Sequence, residues 1–214
     1  MSPASRIRLI LASASPRRQQ LLQQIGHDPV CVPVDVDETP RPGEDPQSLV
    51  RRLAVSKAER YLQHHARSDD FADTDRLLVL GADTVIDLDG AVLGKPRDRD
   101  EALQMLTSLS DREHAVHSGV CLLQATGPGL DGLQVRDELG VRTVLRFGRL
   151  TQEQAAAYWE TGEPAGKAGA YAIQGVGAQF VAWLSGSYSN VVGLPLYETQ
   201  ALLQRAGLGA GSMQ

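Results

Sequence analysis

Apolar residues follow two rhythms along this chain. Short continuous runs, the mark of buried strands, cover Ile7 to Ala12, Pro29 to Val36, Leu77 to Leu80 and Phe180 to Leu184. Thr84 to Leu88 and Val92-Leu93 flank Asp89-Gly90, a dipeptide that favours tight hairpins. Glu113 to Phe147 reads as two long strands joined through the glycines from Gly127 to Gly132. Elsewhere the spacing is helical. Ser15 caps a helix with Pro16 at its first position, Leu21, Leu22 and Ile25 on one face, and Gly26 as its stop. Pro46 opens a long helix striped by Leu49, Leu53, Ala54, Ala58, Tyr61 and Leu62. Asp98 to Leu109 buries Ala102, Leu103, Met105, Leu106 and Leu109. Thr151 caps Gln152 to Trp159, Gly162 stops it, and a last helix runs from Leu196 to Arg205. Strands and helices interleave without a linker or repeat. The expected class is α/β, as one domain over residues 1–206 with a frayed tail over 207–214.

Composition narrows the function classes. The 214 residues are 42% hydrophobic and 22% charged, ordinary for a soluble domain. The formal charge of −5 argues against a protein that coats nucleic acid with bulk positive charge. Aromatic residues, at 5%, are too few for base-stacking platforms. Any phosphate chemistry must therefore use local positive charge. Leu9 to Ala12 is too short for a signal core or a membrane span, and Cys31 and Cys121 have no CxxC spacing. These point to a cytoplasmic protein with reduced thiols and no membrane partner.

Four clusters carry candidate chemistry. Ala12 to Arg18 lies on a strand-to-helix junction, where free N–H groups and the helix dipole hold phosphate. Ser13 and Ser15 add hydroxyls, and Arg17 and Arg18 add charge at a helix end that otherwise prefers acids. Asp35, Asp37 and Glu38 form an acidic group suited to a hard cation or simply to solvent. Gly81-Ala82-Asp83-Thr84 ends an apolar strand, and acids beyond strand ends in α/β proteins serve as bases or metal ligands. A turn aspartate is the equal alternative. Lys57 and Lys95 would carry little weight alone. From Gly162 to Gly193 seven glycines occur, yet neither standard nucleotide loop pattern appears. His64 and His65 point apart on a helix, and His114 and His117 face opposite sides of a strand. No zinc motif and no GxSxG is present.

Taken in order, Leu11–Leu22 (LASASPRRQQLL), Asp35–Pro40 (DVDETP), Arg52–Ala58 (RLAVSKA), Gly81–Ile86 (GADTVI), Gly94–Pro96 (GKP), Gly162–Gly175 (GEPAGKAGAYAIQG) and Gly186–Leu196 (GSYSNVVGLPL) resemble the Maf family of nucleoside triphosphate pyrophosphatases. The resemblance implies a mixed central sheet with flanking helices and two lobes around a deep cleft, related to the inosine triphosphate pyrophosphatases and assembled as a homodimer. It implies hydrolysis of dTTP or UTP to the monophosphate and pyrophosphate with Mg²⁺ or Mn²⁺. Asp83 matches the catalytic acid and, with Glu38, the metal-holding acids. Ser13, Arg18, Lys57 and Lys95 match the residues around the triphosphate. Arg17, Thr84 and Gln174 match the positions that mark the dTTP/UTP subgroup. Gly166, Ala172 and Ser118 depart from the residues usual at their positions.

The implied reaction is attack of water on the α-phosphorus, with Asp83 as general base or as ligand of a metal-bound water. Uracil and thymine present an N3–H beside carbonyl oxygens, a pattern that one Gln174 amide meets with its oxygen and nitrogen. Cytosine reverses it. Because a glutamine can flip, a second group such as Arg17 or Thr84 has to fix the amide. Two other readings stand beside this one. One is a nucleotide-binding regulator of cell division with weak turnover, and the other is a broad pyrophosphatase for damaged nucleotides.

Overall fold

β3 (Arg76–Leu88) organises the sheet. In the computed structural model, which describes residues 6–64, 66, 74–126 and 133–209, its Leu77-Leu78-Val79-Leu80 run is fully buried. Such a run suits a strand covered on both faces. β3 pairs in parallel with β1 (Ile7–Ala12) on one side and antiparallel with β5 (Glu113–Ala125) on the other. β6 (Leu133–Phe147) and β7 (Val181–Ser185) extend the sheet beyond β5. β2 (Val30–Cys31) adds to β1, and β4 (Ala91–Leu93) folds back on the end of β3. Among the described residues the order is β2-β1-β3-β5-β6-β7 with β4 on β3, a mixed seven-stranded sheet of the expected α/β class. The turn expected between Gly127 and Gly132, and His65, lie outside the described residues.

Two strand expectations are corrected. Leu77–Leu80 and Thr84–Leu88 are one strand, because Gly81, Ala82, Asp83 and Thr84 stay in register with Cys121, Val120, Gly119 and Ser118. The ladder to β5 carries the chain through its polar middle. The run from Pro29 to Val36 contracts to Val30–Cys31. Pro29 and Pro33 bracket it, and a proline has no N–H to give a ladder.

Period two sends alternate β3 side chains to opposite faces. One face receives α2 (Pro46–His64), whose Ala54, Ala58 and Tyr61 pack on Ile10, Leu77, Val79 and Cys121. The other carries the larger core. There α1 (Pro16–Gln24), α3 (Arg99–Leu109), α4 (Gln152–Glu160), α5 (Tyr188–Val192) and α6 (Leu196–Arg205) cover Leu78, Leu80, Val120 and Leu122. α2 crosses the sheet over Gly81 and Gly119. A Cβ there would stand 2.1 Å from the Ala54 carbonyl oxygen and 2.2 Å from that of Val50. Gly207 and Leu208, expected in a loose tail, instead close α6 with N–H bonds of 2.9 Å to the Gln204 and Leu203 carbonyls. Residues 210–214 lie outside the described residues.

His114 makes the fold sensitive to acid. Its ring meets Phe147 and Tyr171 edge-on, and Nε2 lies 2.7 Å from the Tyr171 hydroxyl. Burial pushes its pKa down to about 4. The unfolded chain takes this proton near 6.5, so stability falls as pH drops from about 6.5 to about 4 and then levels off for this group. The expected loss is about 3 kcal/mol. Urea unfolding at pH 7, 5.5 and 4 measures it. His114→Gln should flatten the slope, and equal slopes in both proteins refute the assignment.

Candidate functional site

β1 stops at Ala12, opposite Gly81, and β4 joins β3 only at Ile86. Between them β3 runs on without a partner on that side, and a cleft of about 720 Å³ opens, a normal size for a small-molecule site. Asp83 therefore stands in mid-strand rather than at a strand end. The strand that ends at the cleft is β1, and the rule that ligands gather beyond carboxyl ends applies to β1 instead. Ser13, Arg17, Arg18, Glu38, Lys57, Asp83, Thr84, Lys95 and Gln174 all line this one cleft.

Asp83 shares the α2 face with Gly81, and the close approach of α2 brings Lys57 onto it. Lys57 Nζ lies 2.6 Å from Asp83 Oδ1 and 2.6 Å from Glu38 Oε1. Lys57 and Asp83 are buried, whereas the Glu38 side chain is 52% exposed. Burial alone would raise the Glu38 pKa. The bond from Lys57 and the charges of Lys57, Lys95 and Arg18 outweigh it and hold the carboxylate below its usual range. Asp35 and Asp37 stay outside the cleft. Asp37 Oδ1 accepts from the Thr39 N–H at 3.0 Å, and the Asp35 carbonyl accepts from Arg60.

Thr84 faces the other way, into a second network. Arg18 is 8% exposed and commits three nitrogens: Nε to the Gly193 carbonyl at 2.9 Å, Nη1 to Ser13 Oγ at 3.1 Å and Nη2 to Thr84 Oγ1 at 3.2 Å. Burial draws its pKa below the ordinary value while Asp83 opposes the shift, and a guanidinium stays charged regardless. Thr84 Oγ1 also meets Ser118 Oγ at 2.8 Å, its register partner on β5. Ser13 Oγ accepts the Ser15 N–H at 3.2 Å and so shapes the start of α1, whose first turn holds Arg17 and no acid. A Thr84 hydroxyl so engaged is part of the Arg18 scaffold.

Among the described residues five cationic side chains and two carboxylates line the cleft of a protein whose formal charge is −5. The fifth cation, Lys167, is one the sequence motifs alone do not single out. Its Nζ donates to the Glu163 carbonyl at 2.7 Å, and burial lowers its pKa. The sequence places it inside the Gly162–Gly175 stretch of the resemblance without marking it as a site residue. Ser118 has no local signal, because it joins through strand register.

Among the described residues no group of three or more His, Cys, Asp and Glu side chains could cage a metal ion. Glu38 and Asp83 nevertheless fit one. Both offer hard oxygens, and the Lys57 ammonium between them shows that the position holds positive charge. Mg²⁺ characteristically uses one or two carboxylates and takes its other ligands from phosphate and water.

Comparison with known proteins bears on the family of the chain. The family model described as Maf-like protein matches residues 8–206. A protein named dTTP/UTP pyrophosphatase from Chelativorans sp. (strain BNC1) is 48% identical over 204 residues, covering 95% of this chain and 93% of that one. One of the same name from Pseudoalteromonas atlantica is 48% identical over 200 residues, 94% and 97% of the two chains. Another from Bordetella parapertussis is 47% identical over 205 residues, 94% and 93% of the two chains. The solved Staphylococcus aureus Ham1 protein aligns with a TM-score of 0.41 and 13% identity, over 65% of this chain and 71% of that one. With the family model spanning nearly the whole described chain and relatives this similar along almost their full length, the chain belongs to the Maf family.

Proposed function

We propose that this protein hydrolyses dTTP and UTP to the monophosphate and pyrophosphate. The observation that carries the reading is the meeting of Arg18, Lys57 and Lys95 with Glu38 and Asp83 in one cleft wide enough for a nucleotide. The names of the 48% identical relatives support it. In the proposed reaction a water oxygen bonds to the α-phosphorus, and the bond from that phosphorus to the bridging oxygen breaks. Asp83 accepts the water's proton, and the electron pair leaves on pyrophosphate. Lys57, Lys95 and Arg17 stabilise the charge that gathers on the leaving group, and buried Arg18 fixes Ser13 and Thr84 beside it. A divalent cation, Mg²⁺ or Mn²⁺, would be held by Glu38 and Asp83 and would supply further neutralisation of the phosphates. Gln174, exposed on the cleft wall, reads the uracil or thymine edge. The proposed setting is the cytoplasm, where the Cys31 and Cys121 thiols stay outside any disulfide, as they do here. The proposed assembly is a homodimer, on the strength of the family resemblance. Among the described residues no helix is long and apolar enough to cross a membrane.

A panel of nucleoside triphosphates tests the reading. With Mg²⁺ or Mn²⁺, pyrophosphate should appear from UTP and dTTP with a kcat/KM at least about tenfold above CTP, ATP and GTP, the size of one hydrogen-bond mismatch. EDTA should stop it. Orthophosphate as the product, or equal turnover of CTP and UTP, overturns the reading.

A further inference from the structure

Glu163 has no part in the hydrolysis above, yet three donors converge on its carboxylate. The Tyr158 hydroxyl donates to Oε1 at 2.5 Å, the Gly177 N–H to Oε1 at 2.9 Å and the Val176 N–H to Oε2 at 2.9 Å. The Tyr158 hydroxyl in turn accepts the Ala172 N–H at 3.1 Å. These bonds grip the chain two residues before Gln174 and again two and three residues after it. The packing leaves no slack. Gly175 has φ 116, and a Cβ on it would stand 2.4 Å from Glu163 Oε2. On Gly177 a Cβ would stand 2.5 Å from both the Tyr158 hydroxyl and the Ala172 carbonyl. Tyr158 and Ala172 are buried while Gln174 between the grips is exposed on the cleft.

We propose that Glu163 is a positioning residue for base selection: with Tyr158 it clamps both flanks of the Gln174 turn and so sets where the Gln174 amide stands. The proposal rests on the reading that Gln174 meets the pyrimidine. An amide discriminates donor from acceptor only when it is held in place, since its oxygen and nitrogen otherwise exchange by a flip. Thr84 is committed to Arg18, Ser118 and Gly193 and does not hold the Gln174 amide; the clamp fixes the backbone from which that amide reaches the base. A carboxylate is required because three donors arrive together. An amide at position 163 accepts with one oxygen and points an NH₂ at a donor, which strands one of the three.

Steady-state kinetics of the full chain with UTP, dTTP and CTP test this in Glu163→Gln and Tyr158→Phe. In Glu163→Gln, KM for UTP and dTTP should rise about tenfold with kcat within about threefold, the signature of lost binding rather than lost chemistry. CTP kinetics should hold, so the preference for UTP over CTP shrinks about tenfold. Tyr158→Phe, which keeps the two backbone bonds to Glu163, should shift the same way by less, and it carries the test should Glu163→Gln not fold. A variant that melts cooperatively yet keeps the wild-type preference, or loses kcat equally on all three substrates, overturns the positioning role alone. Wild-type protein with no preference for UTP and dTTP over CTP overturns the functional reading, and the role of the clamp falls with it.

Discussion

Asp83→Asn is expected to lower kcat for UTP and dTTP by at least about a thousand-fold, toward the upper range for loss of a proton-transfer group. The substitution separates chemistry from shape. Asparagine keeps the volume and can still accept the bond that Lys57 Nζ makes to Oδ1 at 2.6 Å. It cannot take up a proton or balance the Lys57 charge in a buried position. Lys57 keeps Glu38 as a second partner at 2.6 Å, so the ammonium is not left alone and the fold should persist, as a cooperative melt would show. Glu38→Gln should cost less, because that carboxylate is half exposed and water replaces part of what it gives. The dependence on Mn²⁺ divides the two duties of Asp83. A defect that saturating Mn²⁺ does not relieve belongs to proton transfer, and one it relieves belongs to cation holding. A folded Asp83→Asn protein within tenfold of wild type removes Asp83 from the chemistry.

The parts of the site that a reader of the sequence can find are those where one short stretch places its own residues. Ser13 to Arg18 span a single strand-to-helix junction, and the start of α4 follows from its Thr151 cap. What is hidden depends on neighbours distant in the chain. The continuity of β3 past Gly81 is decided by β5, about forty residues on, whose hydrogen bonds outweigh the polar look of Asp83 and Thr84. Of the three acids Asp35, Asp37 and Glu38, only Glu38 reaches the cleft. The choice is made by a loop turn at Asp37 and by Lys57 arriving from α2. Lys167 and Glu163 sit among glycines that resemble ordinary loop until Tyr158, on a separate helix, gives the carboxylate its partner. Local rules see helices and turns, whereas convergence on one atom is a property of the folded chain.

Gly119→Ala is expected to destabilise the protein by at least about 3 kcal/mol, near the top of the range for overpacking, and to lower Tm by roughly 6–12 °C in a chain of this length. The cause is distance and not backbone angle. A Cβ on Gly119 would lie 2.2 Å from the Val50 carbonyl oxygen, 2.4 Å from its carbon and 2.7 Å from the Arg51 nitrogen. All three are backbone atoms of α2, so no rotamer change relieves the clash and the helix itself must lift. Lifting α2 unpacks Leu49, Val50 and Leu53 from Val85. It also draws Lys57, two turns further along the same helix, away from Asp83, so turnover should fall together with stability. Gly81→Ala meets the Ala54 carbonyl in the same way at 2.1 Å and should behave alike. Gly209→Ala, where nothing lies within 4 Å of the new Cβ, should melt with the wild type. Thermal unfolding followed by circular dichroism ranks the three. A Gly119→Ala protein that melts within about 2 °C of wild type, less than 1 kcal/mol would produce, means that α2 does not need its close seat on the sheet, and the reach of Lys57 to Asp83 is then set by something other than these two glycines.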